Sequence, residues 1–202
     1  MKISQTILIA VLILFLFPSI STAQLVKVGA GGGITNILGP DVFKNESNGY
    51  GFSTEWNLGA IGKIDLPIVP ITPRAFILYH SFSGTGDYNL TTPAEFTQSI
   101  LEVGVGAQYN FVPIPAGIDP YIALDLSFNS FSKLKGNDIV VPNKEVTRFG
   151  GGIGIGTEVT IIPLINLDFY LSYKMFNLTG KEDGEETVSA VTLDAFIIFN
   201  FL

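Results

Sequence analysis

Two glycine runs, a lone histidine and a set of charges at alternate positions are the parts of this sequence whose spacing could do chemistry. The glycine runs are "GAGGG" (29–33) and "GGGIGIG" (150–156). Glycine-rich turns ahead of a helix offer backbone amides to a phosphate. Here the G-x-G-x-x-G spacing fails, because the third glycine would fall on Ile34, Ile155 or Thr157. Neither run leads into a helical pattern, so glycines that thin a crowded wall are expected instead of a nucleotide cradle. They would make room for bulkier neighbours such as Tyr121 or Tyr170. His80, in "ILYHSFSG", would need a hydroxyl on its own face to act as a base. Ser81 points the other way and position 82 is Phe, although a serine from a neighbouring strand would serve.

The charges are Glu55, Lys63, Asp65, Glu102, Asp125, Arg148, Glu158, Asp168, Lys174 and Asp194. They could form an ion path or a catalytic pair. Mutual pairing explains them more simply, since an unpaired buried charge is costly. Seven acids stand against Lys63, Arg148 and Lys174, so some carboxylates must be hydrated, protonated or paired with Lys27 or Arg74. The "KEDGEE" run (181–186) could gather divalent cations, but a solvated charge run is the plainer reading. No residue stands out as catalytic, and no metal or cofactor is expected.

These residues must be positioned by something other than helices. Met1-Lys2, the apolar run Ile7 to Phe17 and the small-x-small Ser21-Thr22-Ala23 have the order of a cleavable signal peptide. The expected division is therefore a signal over 1–23 and one domain over 24–202. With no cysteine, the chain has neither disulfide staples nor a cysteine lipid anchor. With 18 Asp and Glu against 11 Lys and Arg, it lacks the basic footprint of a nucleic-acid binder. It is apolar, at 47% hydrophobic residues, yet no run beyond the signal approaches the roughly 20 residues of a membrane helix.

A period of two resolves that tension. From Tyr50 to Ile64 the even residues are mostly greasy (Tyr50, Phe52, Trp56, Leu58), while the odd ones are small, polar or charged. The alternation returns over 98–111, 121–129, 148–161, 167–175 and 191–201. The strands at 24–36 and 73–84 are less clean: Phe76, Leu78 and Phe82 share one side, while Ala75, Ile77 and Tyr79 on the other are hardly polar. Eight strands result. Their connections alternate between long polar ones (37–48, 85–96, 133–144, 179–187) and short proline-marked ones (66–72, 112–119, 162–164). That is the loop rhythm of an up-and-down barrel. The Asn45, Asn89 and Asn177 sequons lie in or beside the long connections, as expected of polar, exposed loops. Three strand–turn–strand repeats (59–82, 104–128, 152–176) agree with closure into one barrel.

Such a barrel can be greasy inside and soluble, or greasy outside and embedded in a membrane. The polar face carries all ten charges and the small residues Gly104, Gly106, Gly150, Gly152, Gly154 and Gly156. The greasy face carries too many large aromatics for a narrow lumen. The fold expected is thus all-β: an eight-stranded antiparallel up-and-down transmembrane barrel with a polar, side-chain-filled lumen. The strands "GVGAQY", "GGGIGIGTEV" and "PYIALDLSF" and the closing "AFIIFNFL" resemble the small bacterial outer-membrane β-barrel family, the OmpA/OmpX-like barrels, over the whole mature chain. The resemblance implies a place in the outer membrane, contact with its lipid, and recognition of strand 191–202 by the barrel-insertion machinery. In that family the terminal residue is commonly aromatic, whereas here Phe201 precedes Leu202. Outer-membrane lipid A deacylases are similar in architecture and pair a histidine with a serine two residues on, where this chain has Phe82.

The function expected is a non-enzymatic barrel with a structural or surface-interaction role and an extracellular ligand at loops 37–48, 85–96, 133–144 or 179–187. A narrow pore for small solutes and a lipid-modifying enzyme are the alternatives. A secreted soluble barrel holding a lipid is a further one.

Overall fold

Alternation builds a closed wall. The computed structural model describes residues 25–66, 69–88, 90–111, 117–136 and 144–201. Its strands are β1 (Leu25–Gly39), β2 (Thr54–Asp65), β3 (Ile71–Gly86), β4 (Ala94–Asn110), β5 (Ile118–Phe131), β6 (Lys135–Gly136), β7 (Val146–Ile162), β8 (Ile165–Thr179) and β9 (Ser189–Phe201), with one helical turn, α1 (Asp41–Lys44). All but β6 run 12 to 17 residues, enough for a tilted strand to cross a bilayer. They pair in the order β3-β2-β1-β9-β8-β7-β5-β4, and β3 with β4 closes the ring. Every pairing is antiparallel, and β1 meets β9 from Val26↔Phe201 to Gly39↔Ser189. Closure leaves no free edge. The two-residue β6 clips onto β4 through Thr97↔Lys135. The signal peptide expected over 1–23, the turn residues 67–68 and 112–116, the Asn89 sequon, 137–143 of the third long loop and Leu202 lie outside the described residues.

Parity holds along the wall. Val105, Leu124, Leu126, Phe128, Ile153, Ile155, Leu193 and Ile197 point outward and are exposed, Leu124 and Phe128 each by 62 %. Their strand neighbours turn inward. Trp56–Tyr79, Tyr109–Phe111 and Phe128–Phe149 form aromatic pairs on the outer face, the placement of interfacial belts.

The structure departs from the alternation rule at four points. Tyr50 and Phe52 do not face lipid. Gly51 sits at φ +69, a left-handed conformation that breaks the alternation ahead of β2, and Phe52 turns into the mouth and is 1 % exposed. The connection expected at 85–96 shrinks to 87–93, because Thr85↔Glu95 and Gly86↔Ala94 extend the β3–β4 ladder. A polar stretch there is strand that projects beyond the lipid. The register of β7 with β8 slips between Phe149↔Thr179 and Gly151↔Met175. At this bulge both Phe176 and Asn177 are buried, so the Asn177 sequon is not an exposed site.

Last, the lumen is layered and not uniformly polar. Phe76, Leu78 and Phe82 of β3 and Phe196 and Ile198 of β9 all point inward. Ile61, Phe76, Leu78, Phe196 and Ile198 make one apolar patch. Phe52, Phe82, Phe96, Ile100, Phe131 and Phe176 form a larger one, with Val188 and Ala190, under the long loops. In the smaller patch Phe76 and Ile198 fit because Gly104 and Gly29 stand where a side chain would meet them.

Candidate functional site

The inward side chains form three polar clusters: the first lies beneath the larger apolar layer, and the stacked Tyr121 and Tyr170 rings join the other two. The cluster nearest the long loops centres on His80. Its Nδ1 lies 2.9 Å from Thr35 Oγ1 and its Nε2 lies 3.0 Å from Glu102 Oε2. Lys174 Nζ donates to the same Glu102 oxygen at 2.6 Å. Asn57 Nδ2 donates to Thr35 Oγ1 and to Asp194 Oδ1, and Thr192 adds a further bond to Asp194. A hydroxyl, an imidazole and a carboxylate in line is also the arrangement of acyl-transfer nucleophiles. Here all three groups are buried, and the rings of Phe82 and Phe176 cover His80. What the line can do in place is satisfy and orient buried polar groups.

The middle cluster is Arg74, Asp125 and Tyr170. The Arg74 guanidinium grips Asp125 with two hydrogen bonds. It lies 4.1 Å over the Tyr170 ring, and the Tyr170 hydroxyl donates to Asp125 at 2.9 Å. Bidentate and stacked, this is a job for arginine. A cavity of about 10 Å³ lies beside it, lined by Lys174 and Asp194 from above and by Phe76 and Phe196. That is room for about one water molecule.

The third cluster sits toward the short turns. Lys63 Nζ donates to Glu158 at 2.7 Å and to Asp168 at 2.8 Å. Lys27 Nζ reaches Glu158 and Asp65, each at 2.8 Å. Tyr121 donates to Asp168 and Asn166 to Glu158. Lys63 is also 4.9 Å over the Tyr121 ring. The acids thus outnumber Lys63 and Lys174, but Lys27 and Arg74 enter the lumen and pair with them.

Two of the ten charges belong elsewhere. Glu55 lies above the last β2–β3 ladder pair, Asn57↔His80, and accepts from Ser83 Oγ at 2.8 Å. Arg148 stands at the rim, where it holds Glu185 of the last long loop at 2.7 Å. Asn177 Nδ2 donates to Glu185 at 2.8 Å, and its Oδ1 accepts from the Val188 amide. Glu182 meets Lys144. Two acids of the 181–186 run are therefore engaged by cations of this chain. Among the described residues no group of three His, Cys, Asp or Glu converges as a metal site.

All six lumen glycines face inward. A Cβ on Gly156 would run into the Tyr121 ring, one on Gly154 into the Tyr170 ring and Leu171 O, and one on Gly104 into the Phe76 ring. One on Gly106 would overlap Asp125, and one on Gly150 would overlap Asn129 and Met175 O. Gly152 is looser, with Tyr173 O at 3.0 Å from such an atom. Thr35, Asn57 and Asn166 are not picked out by the sequence. Their inward parity is readable there, but the register that brings them to charged partners is not.

An apolar exterior, a charged interior and eight antiparallel strands in sequence order define a transmembrane barrel of the bacterial outer membrane. The chain belongs to the outer membrane protein beta-barrel domain family, whose model matches residues 7–195. Among solved structures, a major outer membrane protein from Thermus thermophilus is similar with a TM-score of 0.58 at 14% identity, over 89% of this chain and 100% of that one. OprG of Pseudomonas aeruginosa gives 0.57 at 11%, over 89% and 96%. Neisserial surface protein A gives 0.56 at 15%, over 89% and 98%. At these identities the likeness is one of fold. Among curated proteins, none matches the chain.

Proposed function

We propose that this protein is a non-enzymatic, solute-tight barrel that presents its long loops at the cell surface. The observation that supports this reading is the filling of the lumen. Three polar clusters and two apolar layers occupy the bore, and the cavity between the clusters measures about 10 Å³. The same filling speaks against the pore, which needs a continuous aqueous path. The burial of Thr35, His80 and Glu102 speaks against the enzyme, because no substrate reaches the hydroxyl. Planar-bilayer recording of the purified protein is the test. The expected trace shows no discrete conductance steps, and reproducible steps at single-insertion density would overturn the reading.

A further inference from the structure

On β3 and β4 the outer wall changes chemistry just beyond the aromatic belt. Trp56 and Tyr79 lie with ring centroids 5.9 Å apart, and Leu101 faces Tyr79 across the ladder. The next outward pair toward the long loops is Ser81↔Ser99, and after it Ser83↔Thr97. The segment after β5 then brings Ser132, Lys133 and Lys135 alongside, with Lys135 fixed opposite Thr97 by the β4–β6 ladder. Ser81, Thr97, Ser99, Ser132, Lys133 and Lys135 line an open pocket of about 220 Å³ that Tyr79 also borders.

The pocket faces away from the lumen, one outward position beyond the Trp56–Tyr79 pair, and aromatic pairs of this kind mark the border with the headgroups. Of the exposed lysines, Lys44 and Lys144 are held in ion pairs with Asp41 and Glu182. Lys133 and Lys135 instead stand side by side at the pocket and are both exposed. Glu95 lies on the loop side, two residues before Thr97 on the same face. Two lysines at one pocket favour a phosphate, and the hydroxyls of Ser81, Thr97 and Ser99 can both donate to and accept from a sugar, while Ser132 Oγ already accepts from the Ser99 amide. A free sugar phosphate would gain nothing from the apolar side chains below. A lipid would lay its chains over Tyr79 and Leu101.

We propose that this pocket binds the phosphorylated saccharide headgroup of an outer-leaflet glycolipid. The site is distinct from the loop tips and gives the barrel a fixed lipid neighbour on its β3–β4 side.

The test is native mass spectrometry of the refolded full-length mature protein in detergent, titrated with bis-phosphorylated Kdo2-lipid A. One tightly bound lipid per barrel is expected. Lys133→Ala/Lys135→Ala should weaken it roughly thirtyfold, at about 1 kcal/mol per surface lysine. Lys133→Arg/Lys135→Arg should retain it. Removing the phosphates from the lipid should cost as much as removing the lysines, and glucosamine 6-phosphate should bind far more weakly than the lipid. Both lysines are exposed, so heat-modifiable gel mobility should confirm that each variant folds. Equal affinity of the double alanine variant, or of the dephosphorylated lipid, would overturn the proposal. So would equally tight binding of the soluble sugar phosphate, which would leave no role for the acyl chains.

Discussion

Lys63 and Gly156 show what single residues contribute to a filled bore. Lys63 is 1 % exposed and is the cation shared by Glu158 and Asp168. Replacing it with methionine keeps most of the volume and leaves Asp168 without a cation, while Glu158 keeps Lys27. Breaking a buried pair from one side typically costs roughly 3–5 kcal/mol. Lys63→Met should therefore lower the unfolding free energy, read from urea titration of reversible folding in lipid, by that amount, and an unchanged value would mean water already screens the pair. Gly156 tests packing instead of charge. A methyl there would overlap the Tyr121 ring, so Gly156→Ala should destabilise by about 1–3 kcal/mol, the usual cost of overpacking. Tyr121→Leu removes the obstructing ring along with the bond to Asp168. In a double-mutant cycle, Gly156→Ala should then cost clearly less in the Tyr121→Leu background than in the unmodified protein.

At the scale of elements, the last long loop is fastened to the wall through Glu185. Burial alone would raise this carboxyl, but hydrogen bonds from Arg148, Asn177 and the Glu182 amide outweigh it and hold it at about 2. The folded value lies below the ordinary glutamate value of roughly 4.3. The stabilisation is therefore complete above that value and is lost as pH falls toward 2. The Glu182 amide donates to Glu185 at 3.1 Å and reports the change. In a nitrogen–proton NMR titration its shift should move with a midpoint near 2, and Glu185→Gln should abolish the movement. A midpoint near the ordinary glutamate value would show that the latch is not formed. Elements were also where the sequence was most and least legible. Parity along β5, and along β7 and β8 short of their bulge, defined the wall and its two faces, because lipid and lumen make opposite demands on neighbouring residues. Parity says nothing about register, so Thr35, His80 and Glu102 could not be brought together beforehand. It misled wherever local backbone reset it, at Gly51 and at the β7–β8 bulge. It also gave no clue to the apolar layers of β3 and β9, since an inward phenylalanine and an outward one look alike in a strand with little polar contrast.

The whole molecule is a barrel turned inside out relative to a soluble one, and that orientation has a measurable energetic signature. Along β5 the outward residues run Ile122, Leu124, Leu126, Phe128 and then Ser130, whose hydroxyl meets Thr147 on β7. Leu124 lies inside the apolar band and Ser130 beyond its aromatic border. Both side chains are exposed, and neither takes part in a lumen contact. A soluble barrel would accept arginine equally at either position. A membrane barrel would not: arginine costs roughly 2–4 kcal/mol at the bilayer midplane and about 0–1 near the interface. Leu124→Arg should therefore lower folding stability in lipid vesicles by several times as much as Ser130→Arg. Because the penalty comes from the hydrocarbon and not from protein contacts, it should shrink in thin-chain lipid, where the guanidinium reaches water more easily. Equal, small effects at both positions in both lipids would place the greasy face in water and overturn the transmembrane architecture. A large penalty at both would instead move the membrane border outward past Ser130, and with it the serine–lysine pocket on β3 and β4.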